Sequence, residues 1–103
     1  MQFSQRGEWW LVSRITGPTH HFLGLRFAGS GGRLGVAPSA AQEADIAAGV
    51  ALANAALGTS YVVAQSAVDP RDRYQPRVYK LLACELVRHV ATHAEAAPPV
   101  GNA

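Results

Sequence analysis

Residues 8–27 constrain the fold most. Trp9, Leu11 and Ile15 alternate with Trp10, Val12 and Arg14, which is the side-chain period of a strand. Gly17-Pro18-Thr19 then marks a turn, and His20 to Phe27 resumes an apolar, aromatic-rich run. The segment is expected to form a β-hairpin. With Thr16 opposite His20, one face joins Trp9, Leu11, Ser13 and Ile15 to His21, Leu23, Leu25 and Phe27, and this face has the character of a core. The second face joins Trp10, Val12 and Arg14 to Phe22, Gly24 and Arg26, mixing bulky apolar groups with two guanidinium groups. A register one residue away exchanges these partners but leaves the two faces of each strand intact.

The rest of the chain supplies two helices and one further strand. Residues 28–38 are glycine-rich, and Leu34-Gly35-Val36 adds at most a very short strand. Ser39 followed by Gln42 makes a capping box, Glu43 and Asp45 place negative charge near a helix start, and Gly58 follows the last periodic residue. A first helix is therefore expected over about 40–57. Ile46, Val50, Ala53 and Leu57 share its apolar stripe, while Ala44, Ala47, Ala48, Ala51 and Ala55 form a neighbouring face suited either to another helix or to solvent. Residues 61–68 are apolar on both alternations, as in an interior strand.

After an irregular turn over 69–75, Pro76 suits the first turn of a second helix over 76–94. That helix presents Val78, Tyr79, Leu82, Ala83, Leu86 and Val90 on one arc and Lys80, Leu81, Cys84 and Arg88 on the other. Pro98-Pro99 stops it. The expected fold is α+β: a two-layer hairpin–helix–strand–helix domain over 1–97, with a sheet of three or four strands and a loose tail over 98–103. A last strand parallel to the second would require a right-handed crossover, with both helices on one sheet face.

A chain of 103 residues has room for one core. Its apolar fraction of 49% excludes a solvated disordered chain, and a formal charge of +2 is too small for a strong polyanion binder. Eight of the nine basic residues are arginine, and the matching alanine excess favours a GC-rich genome over planar recognition of carboxylates or phosphates as the cause. Cys84, the single cysteine, has no intramolecular disulfide partner. The start of the chain lacks an apolar run of signal-peptide type before Arg6 and Glu8, and no uninterrupted apolar stretch approaches the roughly 20 residues of a membrane span. A cytoplasmic location without membrane attachment is expected.

Two surfaces are candidates for binding. Trp10, Val12, Arg14, Phe22 and Arg26 on the second hairpin face combine the residue types enriched at protein interfaces. The same face suits single-stranded nucleic acid, whose bases stack on rings and whose phosphates pair with arginine. The third reading is plain core, with Trp10 and Phe22 under the second helix and the arginines reaching out at the edges. Arg71, Arg73, Arg77 and Lys80 gather around the start of the second helix as a candidate anion site, partly offset by Asp69 and Asp72.

The glycine run 29–35 lacks the spacing of a dinucleotide fingerprint and the Gly-Lys-Ser/Thr of a phosphate loop. His89 and His93 share a helix face, but two imidazoles do not make a metal site. No catalytic set, metal or cofactor is assigned. The functional expectation is a non-enzymatic module that binds another protein or its own copy, in an inhibitor, adaptor or immunity-type role, with nucleic-acid or anion binding as the alternative.

Overall fold

A computed structural model describes residues 1–29, 31–32, 34–72 and 75–93, the side chain of residue 16 excepted. The elements are β1 (Gln2–Arg6), β2 (Trp9–Thr16), β3 (Thr19–Arg26), α1 (Ala40–Leu57), β4 (Gln65–Val68) and α2 (Val78–His93). The fold is α+β, with four strands in the order β1-β2-β3-β4 and two helices. Every strand pair is antiparallel.

The expected parallel pairing of the last strand, with its right-handed crossover, is therefore not formed. β4 also covers only the end of the predicted strand and lies at the sheet's margin, extended by one bridge between Val36 and Val68. Its apolar character on both alternations has another origin. Val68 enters the core beneath the helices, Ala67 is buried on the opposite face, and Tyr61, ahead of the strand, packs in the helix-side core. β1 was not foreseen; QFSQR carries one large apolar side chain, too few to show a period.

α1 has the expected bounds for the expected reason. The Ser39 hydroxyl accepts from the Gln42 N–H over 3.2 Å, the Gln42 side chain accepts from the Ser39 N–H over 2.8 Å, and Gly58 ends the helix at φ 69°. Its alanine face is exposed, and Leu57 is largely exposed rather than part of the buried stripe. In its place Gly49 is buried, because α1 crosses α2 there; a Cβ at Gly49 would overlap the Lys80 carbonyl and touch Ala83.

α2 packs against both α1 and the β2–β3 hairpin, so its buried arc is wider than one amphipathic stripe. This corrects the expectation for Cys84, which is buried with Ala83 and Val87 instead of lying on a polar face. Val12, Leu23 and Leu25 from the sheet meet Ile46 and Val50 from α1 and Leu82 and Leu86 from α2 in one core. Full burial of each such side chain contributes about 1.5–3 kcal/mol. Both helices lie on one face of the sheet, and among the described residues no helix covers the other. The expected helix end at 94 and the tail over 98–103 lie outside the described residues.

Candidate binding surface

The hairpin turn decides which side chains reach the helix-free face. Thr16 pairs with Thr19, not His20, across a two-residue Gly17-Pro18 turn. Gly17 takes φ 60°, and Pro18 brings its fixed negative φ, a combination suited to a turn with glycine first. Relative to the expected pairing the register moves by one residue: Trp10 lies opposite Leu25, Val12 opposite Leu23 and Arg14 opposite His21. The expected common face of Trp10, Val12, Arg14, Phe22 and Arg26 therefore does not exist.

Those residues divide between the two sides of the sheet. Val12 is core, Trp10 packs half-buried against the core with its ring edge-on to His89 at 6.0 Å, and Arg14 sits half-buried beside His21. Phe22 and Arg26 point to the helix-free face, with Trp9, Leu11 and Ile15 from β2 and Ser4 and Arg6 from β1. Arg26 is only 8% exposed. Its guanidinium lies 4.7 Å from the Trp9 ring centroid and donates to Gln65 Oε1 over 2.6 Å. The same group seals Trp9, which is 3% exposed, so Arg26 acts as an internal strut and Trp9 is withdrawn from the surface.

What remains open on this face is a trough of about 500 Å³ that crosses the strands. Leu11 and Phe22 line it from the hairpin, Leu34, Gly35 and Val68 from the β4 side, and Arg6, Asp69, Pro70 and Arg71 complete the lining. Leu34 is brought there by the bridge of Val36 to Val68, with its two hydrogen bonds of 3.0 and 2.9 Å. Leu11 and Phe22 are half-buried, and Ile15 on the same face is 75% exposed. The Arg71 side chain pairs with Asp69 through contacts of 3.1 and 3.2 Å, which hold the Asp69 carboxyl below its ordinary range and raise the Arg71 guanidinium. Arg6 is exposed, and among the described residues no carboxylate pairs with it.

The second candidate cluster is dispersed. Arg71 belongs to the trough, whereas Arg77 stands at the start of α2 with φ 74°, and its backbone N–H donates to Asp45 Oδ2 over 3.3 Å. An acidic side chain of α1 thus already occupies the end of α2 where an external anion was expected. Lys80 is exposed one turn further on, at the crossing with Gly49, and Arg73 lies outside the described residues.

One polar cluster escaped sequence reasoning. His21 Nδ1 lies 2.9 Å from Asp72 Oδ1, with both side chains shut off from solvent, and the Tyr79 hydroxyl donates to the same carboxylate. The cue was present in the alternation that sends His21 and His20 to opposite faces, but a partner 51 residues away leaves no local signal. His21 Nε2 has no hydrogen-bond partner and is closed to solvent. The cluster has the donor–acceptor order of a catalytic dyad, with the His21 and Asp72 side chains both closed to solvent. It fastens the 69–72 loop to β3 and α2.

A second, larger concavity of about 530 Å³ runs beside α1 and is lined by Ile46, Val50, Tyr61 and Val62 among others. Glu43 is the one charged residue of its lining. Among the described residues no three His, Cys, Asp or Glu side chains converge as a metal site, and His89 and His93 stack on each other at 4.0 Å. No described helix is long and apolar enough to cross a membrane. The chain matches no family model, no curated protein and no solved structure in the three comparisons made.

Proposed function

We propose that this chain is a non-enzymatic binding module that works by contact with another protein, through the helix-free face of its sheet. The observation that carries the reading is the trough lined by Leu11, Phe22 and Leu34 with Arg6 and Arg71 at its rim. An apolar centre with arginine at the margin is the composition of a protein-contact patch. The surface differs in membership from the one expected on the hairpin, but it keeps the same chemistry.

The nucleic-acid alternative loses most of its supports. Trp9 lies beneath Arg26, Arg26 is engaged by Gln65, Arg14 is on the other face, and Asp69 offsets Arg71. One accessible ring and one uncompensated guanidinium make a poor platform for stacked bases and phosphates. A cytoplasmic location accompanies the proposal, consistent with the buried, unpaired thiol of Cys84.

Affinity capture followed by reconstitution with the purified partner tests the proposal. Phe22→Glu is expected to abolish the reconstituted complex, while Val62→Glu, remote from the trough, leaves it unchanged. Binding that survives Phe22→Glu, or salt-sensitive binding to oligothymidylate in place of any protein, would overturn the proposal.

A further inference from the structure

The two margins of the sheet are not alike. On one side, β4 is bridged by Val36 through a reciprocal pair of backbone hydrogen bonds. On the other, β1 is paired only with β2, over all five of its residues and without a bulge. β1 contains no proline, its one charged side chain, Arg6, stands at the end beside the turn, and among the described residues no helix or strand covers its outer edge. Natural edge strands are usually blunted by one of these devices, and an edge without them is a template for another strand.

The backbone of β1 determines which groups are on offer. Arg6 and Trp9 flank the two-residue Gly7-Glu8 turn and so form a hydrogen-bonded pair. Hydrogen-bonded pairs alternate with non-bonded ones, so the backbone groups of Gln2, Ser4 and Arg6 face β2, and those of Phe3 and Gln5 face outward. An antiparallel strand centred on Ser4 satisfies both outward residues, and β1 is itself such a strand. In that register Phe3 lies opposite Gln5 of the other copy, Ser4 opposite Ser4 and Gln2 opposite Arg6.

The side chains agree with this pairing. Gln2, Ser4 and Arg6 lie on the helix-free face and Phe3 and Gln5 on the helix-covered face, so each opposed pair shares a face. No like charges meet, and the Gln2 amide oxygen is placed to accept from the Arg6 guanidinium. The two copies are related by a two-fold axis through Ser4, which closes the assembly at a dimer.

We propose that this protein forms a two-fold dimer by antiparallel pairing of β1 with β1 of a second copy, making one continuous eight-stranded sheet. The pairing leaves both troughs on the same helix-free surface, so one dimer presents two adjacent sites to a partner. The dimer interface shares Arg6 with the trough lining, but its test reads the oligomeric state and so stands whatever the trough binds.

Sedimentation velocity of the full chain over about 1–200 μM is expected to show a reversible monomer–dimer equilibrium. Gln5→Pro removes an outward N–H without touching the β1–β2 ladder, and it is expected to weaken the dimer about tenfold or more. Gln2→Glu, facing Arg6 of the other copy, tightens the dimer, and Gln2→Lys weakens it. Ser4→Cys places two thiols in a non-hydrogen-bonded pair, where Cα atoms stand about 4.5 Å apart, within disulfide range. Mild oxidation should therefore cross-link Ser4→Cys far faster than Ile15→Cys, an exposed control on the same face. A monomer at all concentrations with equal cross-linking of the two cysteine variants overturns the proposal. A dimer indifferent to Gln5→Pro and to the charge at Gln2 overturns it as well, since some other surface must then form it.

Discussion

The imidazole of His21 lies 2.9 Å from the carboxylate of Asp72, 51 residues further along the chain, and water reaches neither side chain. Asp72 also accepts from the Tyr79 hydroxyl, so one carboxylate joins β3, the 69–72 loop and α2. Removing one member of such a cluster leaves the others buried without a partner, which is where large losses of stability arise. Asp72→Ala is expected to lower unfolding stability by about 3–5 kcal/mol in a urea titration, and Tyr79→Phe by about 1–2 kcal/mol. A loss below about 0.5 kcal/mol for Asp72→Ala would show that the cluster contributes nothing net.

Alkaline behaviour follows from the same contact. Burial, followed by the hydrogen bond to Asp72 and its negative charge, raises the Tyr79 phenol well above its ordinary value. A folded value above the unfolded one means that the native state holds its proton longer. Stability is then complete below about pH 10 and falls as pH rises beyond it. Denaturation midpoints measured between about pH 8 and 11.5 should fall more steeply for the native sequence than for Tyr79→Phe, which has no phenol to ionise at that position. Parallel curves for the two proteins would contradict the assignment.

How far the sequence discloses this fold depends on whether each signal is local. The capping box at Ser39 and Gln42 and the stop at Gly58 act within a few residues, and α1 begins and ends where they place it. The hairpin was equally visible, but its register depended on whether Thr19 belongs to the turn or to the strand. That single residue moved Trp10, Val12 and Arg14 away from Phe22 and Arg26. Pro18 as the second residue of a two-residue turn is the local signal that encodes the observed pairing. Arg26 over Trp9, Asp45 at the start of α2 and Asp72 beneath His21 each join distant segments, and no periodicity encodes them.

The crossing of α1 and α2 yields a substitution with opposed local and tertiary effects. Alanine in place of Gly49 favours the helix by up to about 1 kcal/mol. A Cβ there overlaps the Lys80 carbonyl and meets Ala83, and separating two packed helices costs about 1–3 kcal/mol. The tertiary effect should win. Gly49→Ala is expected to be net destabilising by thermal unfolding, while Ala48→Gly, on the exposed face of the same helix, loses only the propensity difference. A raised melting temperature for Gly49→Ala would mean that the helices are free to move apart.

Acid stability turns on a stack at the opposite edge of α2. Phe3 lies parallel to His89 at 4.3 Å between ring centroids, and His89 stacks on His93 at 4.0 Å. Burial, and secondarily the neighbouring charge of His93, lowers the His89 imidazole below its ordinary value. The unfolded chain therefore takes up a proton at His89 before the native state does. Stability is lost as pH falls from about 6.5 through the lower folded value, and it returns as pH rises. His89→Phe keeps an aromatic ring against Phe3 and has no proton to gain. Urea midpoints measured between about pH 7.5 and 4.5 should consequently fall less for His89→Phe than for the native sequence. An acid limb identical in the two proteins would place its origin in other groups and leave the stack with a packing role alone.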